Sequence, residues 1–209
     1  GSRSEPSGTL TVTAPVMFGK MYVMPVVLEL LRLHPQLQIR LILRDSLVRL
    51  VEEGIDIAVR IADLPDSSLH VVPVGEVRRV FSASPDYLAR KGRPASLADL
   101  RYHDLIWVED EGGPHRGWGL DEVRRAGGVP RLSVSHVDAA IAAAVAGLGV
   151  LRTLSYQVAG EIEAGRLEPL LRDDEAPALP VSLLFEGGRK HHPNVRAFIE
   201  ATKRHMKPF

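Results

Sequence analysis

The sequence of 209 residues predicts an α/β fold, and two observations carry that prediction. First, stretches in which every second residue is apolar alternate, along the whole chain, with stretches whose apolar residues recur at three- and four-residue spacing. Second, one block shows the unit in full. Leu37, Ile39, Leu41 and Leu43 share a strand face. Leu47 to Glu53 then reads as a short helix, with Leu50 and Val51 at helical spacing between an Asp45-Ser46 start and a Gly54 stop. Ile55, Ile57, Val59 and Ile61 alternate again. Two strands joined through a helix should run parallel, and parallel sheets present ligands to the carboxyl ends of their strands. Arg44, Asp45 and Ser46 leave one such end, and Arg60, Ile61 and Ala62 the other.

The other elements follow by the same reading. Leu10, Val12 and Ala14 make a first strand, and Phe18 to His34 an apolar helix with Pro25 near its start and Pro35 beyond its end. Strands are expected near Val71 to Val74 and from Val77 to Ala83. A helix follows with Ser84 as N-cap, Pro85 and Asp86 in its first turn and Gly92 as its stop. Leu97 to Leu100 is a short helical turn, Leu105 to Val108 a strand and Gly112 to Gly119 a loop. Leu132 to Ser135, Ala139 to Ala146 and Val150 to Leu154 give strand, helix, strand. Val181 to Phe185 is a late strand, and Val195, Phe198, Ile199 and Thr202 lay a last helix on the core.

Composition excludes several classes. Lys+Arg and Asp+Glu both number 26, so the chain has no bulk positive charge with which to hold a phosphate backbone. With no cysteine there is no disulfide, thiolate nucleophile or Cys-based zinc site. No apolar run reaches the roughly 20 residues that span a bilayer, and the first eight residues do not resemble a signal peptide, so a cytoplasmic protein is expected. Gly1-Ser2 reads as a remnant of cloning, and the expectation is a piece of a longer protein.

The eight histidines show no metal-binding spacing, and His191-His192 beside Arg189-Lys190 read as a solvated basic turn. There is no nucleophile elbow, phosphate loop or dinucleotide fingerprint; Gly147-Leu148-Gly149 follows a helix and reads as its stop. Asp110-Glu111 reads as part of a solvated loop. Neither an enzyme nor a cofactor is expected.

Ligand binding has better support. Ala14-Pro15-Val16-Met17-Phe18-Gly19 joins a strand end to a helix start, where free backbone N–H groups and the helix dipole favour an anion. Pro15, Val16 and Phe18 are therefore candidate site residues. Asp45 and Ser46 occupy an equivalent turn and either contact the ligand or cap the helix. Arg44, Arg60 and Ile61 lie at strand ends, the arginines either gripping an anion or pairing with Asp45, Asp63 or Asp66. His136 and Asp138 flank another strand-to-helix turn, Asp138 being otherwise an N-cap. Trp107 or Trp118 would cover an apolar ligand, although Trp107 reads equally as core. The first helix is apolar around most of its circumference, which calls either for deep burial or for a partner.

The ordered set Thr11 to Gly19, Gly54 to Leu69, Val80 to Leu88 and Asp138 to Val150 resembles the effector-binding domain of LysR-type transcriptional regulators, from about Leu10 to His205. The resemblance implies a two-lobed, periplasmic-binding-protein-like fold of mostly parallel sheets joined by two crossover segments. Lobe one would be 8–82 plus 184–209 and lobe two 83–183. It implies a small organic effector, anionic or aromatic, in the cleft between lobes, and a DNA-reading helix-turn-helix upstream. It implies a homodimer, of higher order in the full-length protein, in which Met21, Met24, Leu28 and Leu31 of the first helix and the strand near Leu41 meet lobe two of another copy. Family members often place Ser or Thr in the first helical turn; Pro15 and Val16 here imply a more apolar pocket floor. A solute-binding protein of a transport system is the alternative on the same architecture, and a small α/β enzyme the third.

Overall fold

The computed structural model describes residues 5–46, 49–62, 68–109, 120–172 and 177–206. It divides into two compact units, Gly1–Glu76 with Leu179–Phe209, and Val77–Ala178.

The first unit is built on β1 (Gly8–Ala14), whose seven residues pair in parallel with β2 (Leu37–Leu43) on one side. On its other side β1 pairs in parallel with β3 (Ile57–Ile61). The expected strands are therefore present and parallel, but β1 lies between β2 and β3. Between β1 and β2 the chain forms α1 (Val16–Phe18), a π-helical stretch (Gly19–Val23) and α2 (Met24–Leu33). Pro25 has no N–H to give, and it sits in the first turn of α2 just after the π stretch, whose closing bond runs from the Met24 N–H to the Gly19 carbonyl. The expected helix at Leu47 to Glu53 does not form in its described part. Leu47 and Val48 lie outside the described residues, and residues 50–54 are hydrogen-bonded turns ended by Gly54 at φ 64°. β4 (Leu69–Val77) is longer than expected.

The second unit begins with β5 (Arg79–Ala83) and α3 (Pro85–Lys91). Ser84 caps α3 as the sequence predicts, its Oγ accepting from the Tyr87 N–H at 3.1 Å. A 3-10 turn (Leu97–Tyr102) leads to β6 (Leu105–Val108). The expected loop Gly112 to Gly119, together with Asp110, Glu111 and Trp118, lies outside the described residues. There follow α4 (Leu120–Arg125), β7 (Pro130–Val134), α5 (Val137–Val145), β8 (Val150–Leu154), α6 (Ser155–Glu163) and β9 (Glu168–Leu170). The chain returns to the first unit as β10 (Leu179–Glu186) and α7 (Pro193–His205). Arg189, Lys190, His191 and His192 form the exposed basic turn the sequence predicts, and His192 also caps α7, its Nδ1 accepting from the Asn194 N–H at 3.3 Å.

The sheets run β2-β1-β3-β10-β4 and β7-β6-β8-β5-β9. β10 is antiparallel to β3, and β5 is antiparallel to both β8 and β9, so each sheet is mixed around one reversed strand. This pairing sets the unit boundaries earlier than residues 82 and 183, where the sequence placed them. All of β5 belongs to the second sheet, and Val181, Ser182 and Leu183 pair with β3 in the first.

Leu10, Val12 and Ala14 of β1, Ile57 and Val59 of β3, and Val181 and Leu183 of β10 alternate onto one wholly buried face. Burying each large side chain of this kind contributes about 1.5–3 kcal/mol. α2 packs on β2 and on α7, burying Val26, Val27 and Leu30 against a side that includes Val195, Phe198 and Ala201.

In the second unit, Phe81, Tyr87, Leu100, Leu105, Trp107, Val123 and Val150 form one apolar cluster. The Tyr87 hydroxyl accepts from the Asp104 N–H at 2.9 Å and lies 3.0 Å from His103 Nδ1. The hydroxyl keeps its proton and a second lone pair, so the direction of its contact with Nδ1 is set by the imidazole tautomer. Burial first and the charge of Lys91 second hold His103 below its ordinary pKa of 6.5, against the pull of Asp99 and Asp104.

Two outcomes follow. A Cβ at Gly149 would stand 2.1 Å from the Asp104 carbonyl oxygen, whereas at Gly160, on α6, nothing lies within 4 Å. In urea titrations Gly149→Ala should cost about 1–3 kcal/mol, and Gly160→Ala should be neutral or gain up to about 1 kcal/mol through helix propensity. For His103, the unfolded chain binds the proton more readily than the folded one. Stability is complete above the ordinary histidine pKa and falls as pH drops through about 6.5 toward the lower folded value. His103→Gln, which retains an acceptor, should flatten that part of the stability–pH curve; an unchanged slope would assign it to other groups.

Candidate functional site

The carboxyl edge of the first sheet gathers residues from three neighbouring strands. Thr13 stands opposite Ile42 of β2 and Ala58 of β3. Two residues on from these partners, and on the same face by strand alternation, come Arg44 and Arg60, with Ser182 of β10 opposite Arg60. The Arg44 N–H still bonds to the Ala14 carbonyl at 3.0 Å, which extends the ladder past the assigned strand.

α1 begins at this edge. Its N-cap, Pro15, carries no side-chain acceptor, and the Val16 N–H is met from the neighbouring strand by Asp45 Oδ1 at 3.0 Å. The anion-favouring helix start that the sequence points to is therefore occupied by the chain's own carboxylate. Asp45 does cap a helix, but the one before it in sequence. Gly19 makes the close approach possible: a Cβ there would lie 2.2 Å from Leu43 Cδ2 at the end of β2.

The two arginines differ. Arg44 is half-buried and ion-paired with Glu53 on the turn that follows Leu50. That pairing, ahead of a smaller contribution from the Arg49 N–H, holds the Glu53 carboxyl below the usual carboxylate range. Arg60 is only 9 % exposed, and its described hydrogen bond runs from Nη1 to the Val59 carbonyl at 3.3 Å. Nη2 is buried with no partner among the described residues. Desolvation, and then repulsion from Arg44, push the Arg60 pKa down, while Asp45 and Glu53 act the other way. Asp63 and Asp66, considered as partners for these arginines, lie outside the described residues. Leu50, Ile55, Ala58 and Leu184 close this face into a small apolar cluster.

Of the remaining expected residues in this unit, Pro15, Val16, Ser46 and Ile61 are half-buried at the edge. Phe18 is not available to a ligand: its ring is wholly buried, with its centroid 4.9 Å from that of Tyr22, because the helix turns it into the core. Met21, Leu28 and Leu31 are exposed, at 46 %, 43 % and 38 %, while Met24 and Leu41 are half-buried. An outward apolar strip on the first helix thus remains, beside a groove of about 450 Å³ lined by Pro25, Leu28, Glu29, Arg32, Leu33 and His205.

In the second unit, β7 delivers His136 and Asp138 to the start of α5, both exposed. His136 is itself the N-cap residue and its Nδ1 lies 2.8 Å from Ser135 Oγ; Asp138 sits in the first turn and accepts from the Ala139 N–H at 2.9 Å. Trp107 takes the core alternative: it is 6 % exposed, with the Arg124 guanidinium 4.6 Å from its ring centroid. Among the described residues no three His, Cys, Asp or Glu side chains are grouped as a metal would require, and no helix is long and apolar enough to cross a membrane.

The family model described as the LysR substrate binding domain matches residues 3–207. The chain belongs to that family. PtxR, an HTH-type transcriptional regulator of Pseudomonas aeruginosa, is 33 % identical over 216 residues, which cover 99 % of this chain and 68 % of that protein. An uncharacterized HTH-type transcriptional regulator of Escherichia coli K12, YhjC, is 30 % identical over 97 % of this chain and 69 % of its own length. An HTH-type regulator of Xanthomonas campestris is covered over 59 % of its length, so this LysR-family chain spans roughly three-fifths to two-thirds of such relatives. Two solved structures show the fold. CrgA, a LysR-type regulator of Neisseria meningitidis, superposes with TM-score 0.81 at 23 % identity over 95 % of this chain and 68 % of CrgA. AphB of Vibrio cholerae gives 0.79 at 22 % over 97 % of this chain and 70 % of AphB. The mixed α/β, two-sheet architecture of this chain is thus that of LysR regulatory domains.

The sequence marks Asp45 as a cap but for the helix after it, since the bond it makes spans 29 residues, and it gives no role to Thr13, which gains its meaning only from the strands beside it. Asp45→Asn keeps an acceptor but removes the charge from the helix start. It should cost about 0.3–1 kcal/mol at low salt and less as salt rises; an effect independent of salt would leave no part for the helix dipole.

Proposed function

We propose that this chain is the sensory module of a LysR-type transcriptional regulator, binding a small organic effector and altering the geometry of a homodimer. The observation that carries the ligand-binding part is the buried Arg60 guanidinium at the carboxyl edge of the first sheet, with Nη2 unmatched among the described residues. Pro15, Val16, Arg44, Asp45, Ser46 and Ile61 surround that edge in sequence and register; His136 and Asp138 offer the corresponding edge of the second unit. DNA reading belongs to the part of such regulators that this chain does not span, consistent with its balanced charge. Relatives named as HTH-type regulators support this reading over a transport solute receptor, and with it a cytoplasmic setting. No catalytic role is proposed.

For the effector to act, it must favour one dimer geometry over another, typically by a coupling of about 1–3 kcal/mol. The exposed strip Met21, Leu28 and Leu31, with Met24 and Leu41 beside it, is the proposed self-association surface. Leu28→Glu should weaken dimerisation by at least about tenfold in sedimentation equilibrium, as expected for a charge placed in an apolar contact. Unchanged association would move the interface elsewhere.

The decisive experiment is a thermal-shift screen of small organic acids and aromatic compounds, followed by Arg60→Ala with whichever compound stabilises the chain. Ligand-induced stabilisation should vanish in the variant; if it persists with a confirmed effector, Arg60 is not part of the site.

A further inference from the structure

We propose that the first unit recognises a monoanionic carboxylate through Arg60 Nη2 and the Thr13 hydroxyl, on the strand face opposite the first helix, and not through the backbone N–H groups at the start of α1. The proposal rests on the reading of this chain as an effector-binding module and adds the chemical class of the ligand and the atoms that take it.

The helix start is already filled by Asp45, so a carboxylate arriving there would have to displace a like charge. Glu53 is engaged by Arg44. Arg60, by contrast, is nine-tenths buried, and among the described residues its hydrogen bond is to a neutral carbonyl. A desolvated cation in that state gains more from an arriving anion than an exposed one does.

Thr13 is wholly buried and its Oγ1 also has no partner among the described residues. Both side chains alternate onto the same face of adjacent strands: Thr13 opposite Ala58, and Arg60 two residues farther along β3. Ser182, buried and opposite Arg60, closes the far side. A planar N–H donor next to a hydroxyl donor matches the two oxygens of a carboxylate. A single buried guanidinium whose described hydrogen bond is to a neutral carbonyl matches a monoanion; a phosphate or sulfate dianion would bring more negative charge than this one cation offsets.

The test is the melting temperature of the chain in sodium acetate against sodium chloride at constant ionic strength, for wild type, Arg60→Gln, Thr13→Val and Asp45→Asn. It needs neither DNA nor the natural effector, so a chain that fails to act as a regulator can still pass it, and the two readings fail separately. In wild type, acetate should raise the melting temperature saturably above chloride. The rise should disappear in Arg60→Gln and persist in Asp45→Asn. Thr13→Val, which deletes an unmatched hydroxyl at nearly constant shape, should melt higher than wild type without acetate and bind acetate several-fold more weakly.

If Arg60→Gln does not fold, Thr13→Val decides alone. Equal responses to acetate and chloride in wild type, an undiminished acetate response in either Arg60→Gln or Thr13→Val, or loss of the response in Asp45→Asn would each overturn the proposal, the last by placing the anion at the helix start.

Discussion

β1 is paired along its length with β2 and again, through Val12 and Thr13, with β3. Because both neighbours are parallel to it, the three carboxyl ends fall at one edge, and the residues that leave them, Pro15, Arg44 and Arg60, become neighbours although they are widely spaced in sequence. A parallel sheet buries both faces, so every polar side chain carried there must find a partner or bear the cost of desolvation. Thr11 and Thr13 on one face of β1, and Leu10, Val12 and Ala14 on the other, show that division directly. Polar chemistry in the first unit is confined to one face and one edge as a result.

That confinement explains why the two arginines, similar in sequence, are unlike in structure. Arg44 reaches the turn at Glu53 and is neutralised there. Arg60, on the strand at the other side of β1, shares its face with the cluster of Leu50, Ile55, Ala58 and Leu184, and among the described residues its hydrogen bond is to a backbone carbonyl. Salt bridges between exposed groups contribute little, whereas a buried charge without an ionic contact dominates its surroundings. The same logic places the second unit's polar focus at Tyr87, whose hydroxyl ties α3 to the residue before β6 and lies beside His103.

The first helix runs from the carboxyl edge to an outward apolar strip. Its inner residues, Phe18, Val23, Val26 and Leu30, are buried in the first unit, while Met21, Leu28 and Leu31 face outward. Asp45 caps the start of this helix from the end of β2. A change in charge at the carboxyl edge therefore acts on an element whose opposite face is the apolar strip.

Local sequence determined the strands β1, β2, β6, β7 and β8, because a half-buried or buried strand must alternate or run apolar, and it determined α3, because Ser84, Pro85, Asp86 and Gly92 satisfy helix ends within a few residues. The LysR resemblance, spread over four separate segments, was legible for the same reason: each segment is a strand end or helix start with local chemistry of its own. The helix expected at Leu47 to Glu53 was a propensity reading of a segment whose described part is a turn held by local backbone bonds and the Arg44–Glu53 ion pair, with Leu50 packed in a cluster with Leu184. The short strand β9 had too few residues to show a period, and α6 has only Tyr156 and Val158 buried, too few to outline a stripe. Only tertiary structure decided that Asp45 caps α1, that Phe18 and Trp107 are core, and that Thr13 and Arg60 share a face. Those facts depend on which strands lie side by side, and pairing between strands distant in sequence leaves no mark on either strand alone.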